Sequence, residues 1–226
     1  MKTYAPLLIV GVLLAAASAA LADNPRIYYP WNDTYVDSAL PDACFATSHE
    51  LRMGSGPDRN RAVRTYIGFV IPDDELPQDT QLIESATLHI YQFNTSGDAA
   101  GRTVGVRGST SDWSWHGPTW NDQPELTSTV YARATVGNPN DIGWIEWDVT
   151  ELVRRYADPD YVNWEFYDFI LCDVHEGTGA PSIGYFESHT HGGTPGLEPY
   201  LEVVATPEPT SLLLLGLSSL AMLRRR

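Results

Sequence analysis

Two short stretches decide what this chain can fold into. In Arg64-Thr65-Tyr66-Ile67-Gly68-Phe69-Val70-Ile71, residues Ile67, Phe69 and Ile71 share one side of an extended backbone. In Ala86-Thr87-Leu88-His89-Ile90-Tyr91, Ala86, Leu88 and Ile90 do the same. Apolar residues at a period of two mark strands buried on one face. Further strands are expected over 28–36, 49–53, 102–107, 143–148, 166–173, 183–187 and 200–204, with Gly, Pro, Asn and Asp clustered between them. Roughly nine short strands and no long helical period predict an all-β sandwich.

A single helix is expected against this background. Asp148-Val149-Thr150-Glu151 has the spacing of a capping box, and Val149, Leu152, Val153 and Tyr156 recur at helical spacing before Asp158-Pro159 stops the run. Such a short amphipathic helix would cover one end or edge of the sandwich.

Both ends of the chain read as addresses. Lys2, the only lysine, precedes the apolar run 7–20 and the Ala20-Leu21-Ala22 box, the pattern of a Sec signal peptide cleaved between Ala22 and Asp23. At the other end come Pro207-Glu208-Pro209, an apolar stretch over 212–223 and Arg224-Arg225-Arg226. A helix over 211–223 would be about 20 Å long, well short of a bilayer core of about 30 Å. Its arginines would stay cytoplasmic. This tail resembles the PEP-CTERM sorting signal of Gram-negative bacteria that make exopolysaccharide. The resemblance implies an exosortase as partner during export, a transient stay in the inner membrane, and a final place on the cell surface or in the extracellular matrix. An ordinary tail anchor is the alternative. The expected division is a signal peptide over 1–22, one domain over 23–206 and a sorting tail over 207–226.

Charge narrows the partners. Residues 23–206 hold ten Arg, no Lys and twenty-eight Asp plus Glu, a net charge of −18. Nucleic acid is excluded as a partner by that field, and an anionic glycan is repelled overall unless a local arginine patch overrides it. Cys44 and Cys172 both lie in the exported part, where a disulfide between them is expected; two buried thiols are the alternative.

The body of the chain carries a second resemblance. It rests on Asp33-Thr34-Tyr35-Val36-Asp37, Arg64 to Phe69, Ser85 to Tyr91, Ser111-Asp112-Trp113 through Thr119-Trp120-Asn121-Asp122-Gln123-Pro124, Trp147-Asp148-Val149-Thr150 and Pro199-Tyr200-Leu201-Glu202-Val203. In order and spacing these are similar to the DNRLRE family, itself similar to carbohydrate-binding modules of the alginate-binding type. The resemblance implies a jelly-roll-like β-sandwich and extracellular polysaccharide as partner. The absence of lysine from 23–206 and the strong negative charge of that segment set alginate itself at odds with this chain.

Candidate binding residues follow from the chemistry of sugars. Trp113, Trp115 and Trp120 are interleaved with Asp112, His116 and Asn121, and flat indoles beside polar groups suit a glycan platform. Trp113 and Trp120 coincide with tryptophans of the family pattern, which favours core packing, so Trp115 and His116 are the surface candidates. Arg59, Arg61 and Arg64 would clasp uronate carboxylates, or else pair with the surplus acids. Trp144 and Trp147 should point to opposite faces of a strand, one of them into the core. Tyr161, Trp164 and Tyr167 read as packing.

No cofactor motif is present. His189 and His191 lack a third metal ligand, and structural calcium on Asp33, Asp37, Asp42 and Glu50 has no spacing motif behind it. Gly-x-Ser-x-Gly, His-Glu-x-x-His and phosphate-loop patterns are all missing, so the reading is non-enzymatic. The sequence leaves three functions open: a secreted carbohydrate-binding protein of the extracellular matrix, a structural or adhesive surface protein, and a small polysaccharide lyase or hydrolase.

Overall fold

A computed structural model describes residues 25–56, 61–72, 74–111, 113, 117–161, 166–189 and 193–206. Alternating residues there become eleven antiparallel strands: β1 Arg26–Tyr28, β2 Asn32–Asp37, β3 Glu50–Ser55, β4 Ala62–Val70, β5 Ile83–Gly97, β6 Arg102–Gly108, β7 Ala132–Val136, β8 Gly143–Asp148, β9 Phe166–Asp173, β10 Ser182–Glu187 and β11 Tyr200–Ala205. The order is β1-β11-β5-β10-β3-β4-β9-β6-β7, with β2 added to β4 and β8 to β5. β7 packs close to β8, so the sheet curls into a sandwich-like body. Among the described residues the expected all-β, sandwich-like fold with one α-helix is what forms.

The long strand β5 organises one half. Its first part pairs with β11 and its second with β10, while β8 lines the other side. Ile67, Phe69 and Ile71 meet Ala86, Leu88 and Ile90 in one core with Trp147, Phe169, Phe186, Leu201 and Val203, as the alternation requires. A second cluster of Val36, Tyr66, Trp113 and Ile170 fills the opposite face of β4, beneath the segment that carries Trp120 and Leu126.

Several expectations need correction. The stretch 28–36 is two strands, because Pro30 has no N–H for a ladder; β1 pairs with β11, and the chain then crosses to β4, which it meets through Trp31 N–H to the Gly68 carbonyl at 2.9 Å. β7 was not expected, since Ala132-Arg133-Ala134-Thr135-Val136 carries little apolar signal and owes its strand form to pairing with β6. The helix α1, Thr150–Tyr156, buries Leu152, Val153 and Tyr156 as expected. Its start is not a closed capping box: Asp148 accepts from the Thr150 N–H at 3.1 Å and hydroxyl at 2.6 Å, but Glu151 turns to Arg154 at 2.7 Å.

No disulfide joins Cys44 and Cys172. Cys172 is buried in β9 beside Arg64, Arg107 and Glu176, whereas Cys44 is exposed, with its thiol 3.9 Å from the Gly117 carbonyl oxygen. The two thiols thus belong to different surroundings, which sequence position could not reveal. Burial, reinforced by Glu176, raises the pKa of the Cys172 thiol. Thiol titration of the native protein is expected to show fast reaction at Cys44 only, and two thiols once the chain is denatured without reductant. A single peptide linked through both cysteines would overturn this.

Candidate functional site

Because Leu88 and Ile90 of β5, Ile145 and Trp147 of β8, and Leu201 and Val203 of β11 point into the core, the residues between them face outward together. With the flanking positions they are His89, Tyr91, Trp144, Glu146, Tyr200 and Glu202, four of which carry aromatic rings. His89 lies opposite Tyr200 on one side, and Tyr91 lies opposite Trp144 on the other. The His89 and Tyr200 rings stack at 4.4 Å with 11° between planes. Trp144 stands nearly perpendicular to its neighbours, 5.2 Å from Tyr200 and 5.5 Å from Tyr91. Trp144 is 39% exposed, and Tyr29 and Phe93 extend the exposed aromatic surface at the two ends.

The support under this face is rigid. Buried Gln92 ties the turn before β8 to β5, accepting from the Gly137 N–H at 2.7 Å and donating to the Asp141 carbonyl at 3.1 Å. Gly143, with φ of 137°, then opens β8 directly before Trp144. The position of the indole is therefore set by backbone pairing and not by a loose loop. Along β5, His89 to Phe93 spans about 13 Å. Phe93 also borders an open groove with His49, Glu50 and Glu187. Flat, partly exposed rings in a fixed row can stack on the apolar faces of sugar rings while neighbouring polar atoms meet hydroxyls.

Sequence-derived candidates are distributed elsewhere. Trp113 is 8% exposed, packs against Tyr66 and donates its indole N–H to Asp168 at 2.9 Å, which makes it a core residue. Trp115, His116, Arg59, Trp164 and His191 lie outside the described residues. The same holds for Ala22 and Asp23 and for the tail from Pro207, Glu208 and Pro209 to Arg224, Arg225 and Arg226. Arg61 is committed to Asp37, with Nε 2.9 Å from Oδ1. Burial opposes ionisation of Asp37, yet hydrogen bonds from Arg61 and the Ala39 N–H leave its carboxyl below the usual range. Arg64 forms a fork on Glu176 at 2.7 and 2.6 Å and lies 4.6 Å over the Trp120 ring. Both guanidiniums are spent on protein groups, so neither is presented as a clasp for a uronate.

The calcium candidates also separate. Asp33 accepts from the Ser188 hydroxyl and the His189 N–H, Asp42 from Asn121, and Glu50 from Arg52. Among the described residues no group of three or more His, Cys, Asp or Glu converges as a metal would need.

Sequence spacing placed one of Trp144 and Trp147 outside the core without selecting it as a site residue, and Tyr29, His89, Tyr91, Phe93 and Tyr200 were missed. The usable signal was the strand period itself: positions 89, 91 and 93 alternate with the core positions 88, 90 and 92.

Comparison with known proteins adds two matches. The model of carbohydrate-binding module family 96 matches residues 25–167, and the PEP-CTERM protein-sorting motif matches residues 205–226. Neither the DNRLRE family nor alginate is part of these matches. No curated protein matches the chain. Among solved structures, a cleaved adhesin domain of Lys-gingipain from Porphyromonas gingivalis is 12% identical, with 81% of this chain and 96% of that chain covered at a TM-score of 0.20. At that score the likeness carries no argument.

Proposed function

The chain belongs to carbohydrate-binding module family 96, and from that premise we propose that it is an exported, non-catalytic protein that holds extracellular polysaccharide on the aromatic face of β5, β8 and β11. The observation that carries this reading is the row Tyr200, His89, Trp144 and Tyr91, fixed by cross-strand pairing and open to solvent at Trp144. Extended chains lie along such rows, with one ring stacking on each sugar face. The shape is a surface and not an enclosed pocket, which suits a polymer better than a small ligand.

Replacing Trp144 with alanine is expected to weaken binding by about 1–3 kcal/mol, by analogy with stacking on other aromatic platforms. Thermal stability should change little, because the indole is partly exposed and belongs to no core cluster. Affinity electrophoresis through gels holding different polysaccharides measures the effect. Retardation that survives in Trp144→Ala would place binding elsewhere, and the absence of retardation in any gel would favour an adhesive or structural role without a glycan ligand. Turnover of any polysaccharide would reinstate a lyase or hydrolase.

The sorting motif at 205–226 points to exosortase-dependent export and a cell-surface or extracellular location. We propose in addition that a Sec signal over 1–22 starts export and that the tail is cut near Pro207-Glu208-Pro209, leaving 23–206 outside the inner membrane. Glu208→Ala, or deletion of Arg224 to Arg226, should trap uncut precursor in the inner-membrane fraction of a host with an exosortase. Exported material still ending at Arg226 by mass spectrometry would show a plain anchor instead.

A further inference from the structure

A second cluster of exposed rings lies away from the face of β5, β8 and β11. Trp31, in the crossover between β1 and β2, is 38% exposed and stands 5.7 Å from Phe166 and 6.1 Å from Trp113. Val70, 40% exposed, pairs with Phe166 across β4 and β9, and by alternation both stand on the same side of the sheet as the Tyr66, Trp113 and Ile170 cluster. The seat under Trp31 is built for it. Its backbone N–H donates to the Gly68 carbonyl, and its indole Nε1 lies 2.7 Å from the point that a side-chain carbon on Gly68 would occupy. Gly68 is not among the glycines with positive φ, so the backbone does not call for glycine there; the close approach of the indole does. A glycine inside a strand is destabilising relative to alanine. Here it lets a large ring lie on the sheet and yet stay more than a third open to solvent, whereas Trp113 and Trp147, which serve packing, are 8% and 1% exposed.

Placement decides what this cluster adds. Ile67 and Phe69 of β4 and Phe169 of β9 turn into the main core, as do Leu88 and Ile90 of β5 and Ile145 of β8. Alternation then sends Gly68, Val70 and Phe166 outward from one wall of the core, and Tyr91 and Trp144 outward from another. Three strands separate β4 from β8 in either direction around the curled sheet, β3, β10 and β5 one way and β9, β6 and β7 the other. The two aromatic clusters therefore look in opposite directions with the core between them, and a straight sugar chain lying on one does not reach the other. Every residue of the second cluster falls within 25–167, the stretch matched by the carbohydrate-binding module family.

We infer that Trp31, Val70 and Phe166 form a second glycan site that stacks on the apolar face of a sugar ring, and that the domain thereby joins two polysaccharide chains, one on each side. The inference rests on the reading that the face of β5, β8 and β11 binds polysaccharide, and the test separates the two. Beads coated with hydroxyethylcellulose, xylan or alginate would be loaded with the exported protein and then offered the same polysaccharide carrying a fluorophore. Wild-type protein should bind the beads and capture labelled chains. Trp31→Ala and Val70→Glu should each still bind the beads through the Trp144 face but capture about tenfold less of the labelled chains, and Trp144→Ala should lose capture likewise while binding through the Trp31 cluster. Gly68→Ala, which unseats the indole, should reproduce Trp31→Ala, and Trp31→Phe should restore much of the capture. Val70 is exposed, so its variant probes the site even where Trp31→Ala lowers stability. Capture that persists in Trp31→Ala and Val70→Glu but is lost in Trp144→Ala would overturn the second site and leave the first intact. Bead binding lost in Trp31→Ala and kept in Trp144→Ala would move the glycan site to this cluster, overturning both the joining of chains and the first reading. A dimer in sedimentation velocity that Trp31→Ala dissolves would make the cluster a contact between copies and overturn the inference. If no polysaccharide holds the protein on any bead, both readings fall.

Discussion

Trp147→Ala is expected to lower the unfolding free energy by about 3–5 kcal/mol, the range for deleting a large buried aromatic. Trp147 is 1% exposed and sits in the main core with Leu88, Val104 and Leu201. Its indole N–H also donates to the Val104 carbonyl at 3.2 Å, joining β8 to β6. Since β8 is hydrogen-bonded to β5 and β6 to β9, the indole links the two halves of the curled sheet at a place where, among the described residues, no strand ladder does. Alanine would leave a cavity and remove this hydrogen bond between the halves. Urea unfolding followed by circular dichroism measures the loss, and Trp147→Phe should recover much of it by refilling volume. A loss below about 1 kcal/mol would mean that the halves are held chiefly by other contacts. The contrast with Trp144 is part of the prediction: two tryptophans three residues apart should divide cleanly, one governing stability and the other binding.

The second large effect is expected at a buried ion pair. Asp173 at the end of β9 is buried, and its carboxylate accepts from Arg102 Nε and from the Ser55 hydroxyl, each at 2.5 Å, and from the His175 N–H at 2.8 Å. Arg102 in turn donates to the His175 carbonyl at 2.8 Å. The group therefore ties β3, β6, β9 and the following turn at one end of the sandwich. Arg102→Ala removes the cation and leaves a desolvated carboxylate, which typically costs about 3–5 kcal/mol. Replacing both partners by apolar residues, Arg102→Met with Asp173→Leu, should cost clearly less than Arg102→Ala alone, because no charge is then stranded. Denaturant midpoints of the single and double variants decide it. A double variant as unstable as Arg102→Ala would show that the ladder of hydrogen bonds to Ser55 and His175 matters more than charge compensation.

The strand faces were legible in the sequence because a period of two needs only local information. The alternations at 67, 69 and 71 and at 86, 88 and 90 placed the core residues correctly, and the helical spacing at Leu152, Val153 and Tyr156 placed the one helix. The sorting tail and the likeness to carbohydrate-binding modules were also readable, since such motifs are linear strings of residues, whereas the DNRLRE and alginate-type assignments are not part of the matches. Where the reading went astray, the deciding partner was distant in sequence. β7 is a strand because β6 is next to it, and Glu151 left the capping box because Arg154 offered it a charge.

The candidate site shows the same division more sharply. Sequence density drew attention to Trp113, Trp115 and Trp120, yet the structure spends Trp113 on a hydrogen bond to Asp168 and presses Trp120 under Arg64. It drew attention to Arg61 and Arg64, which Asp37 and Glu176 occupy. The two cysteines, an even pair in an exported chain, do not meet because β9 buries one and a surface turn carries the other. By itself the sequence determined what each strand turns inward, the acidity of the exported segment and the address on its tail, all of them properties of neighbours along the chain. Only the tertiary structure decided that Tyr200, His89, Trp144 and Tyr91, drawn from three separate strands, form one face. Cross-strand register sets which side chains stand opposite one another, and register is fixed only when the curled sheet closes over its core.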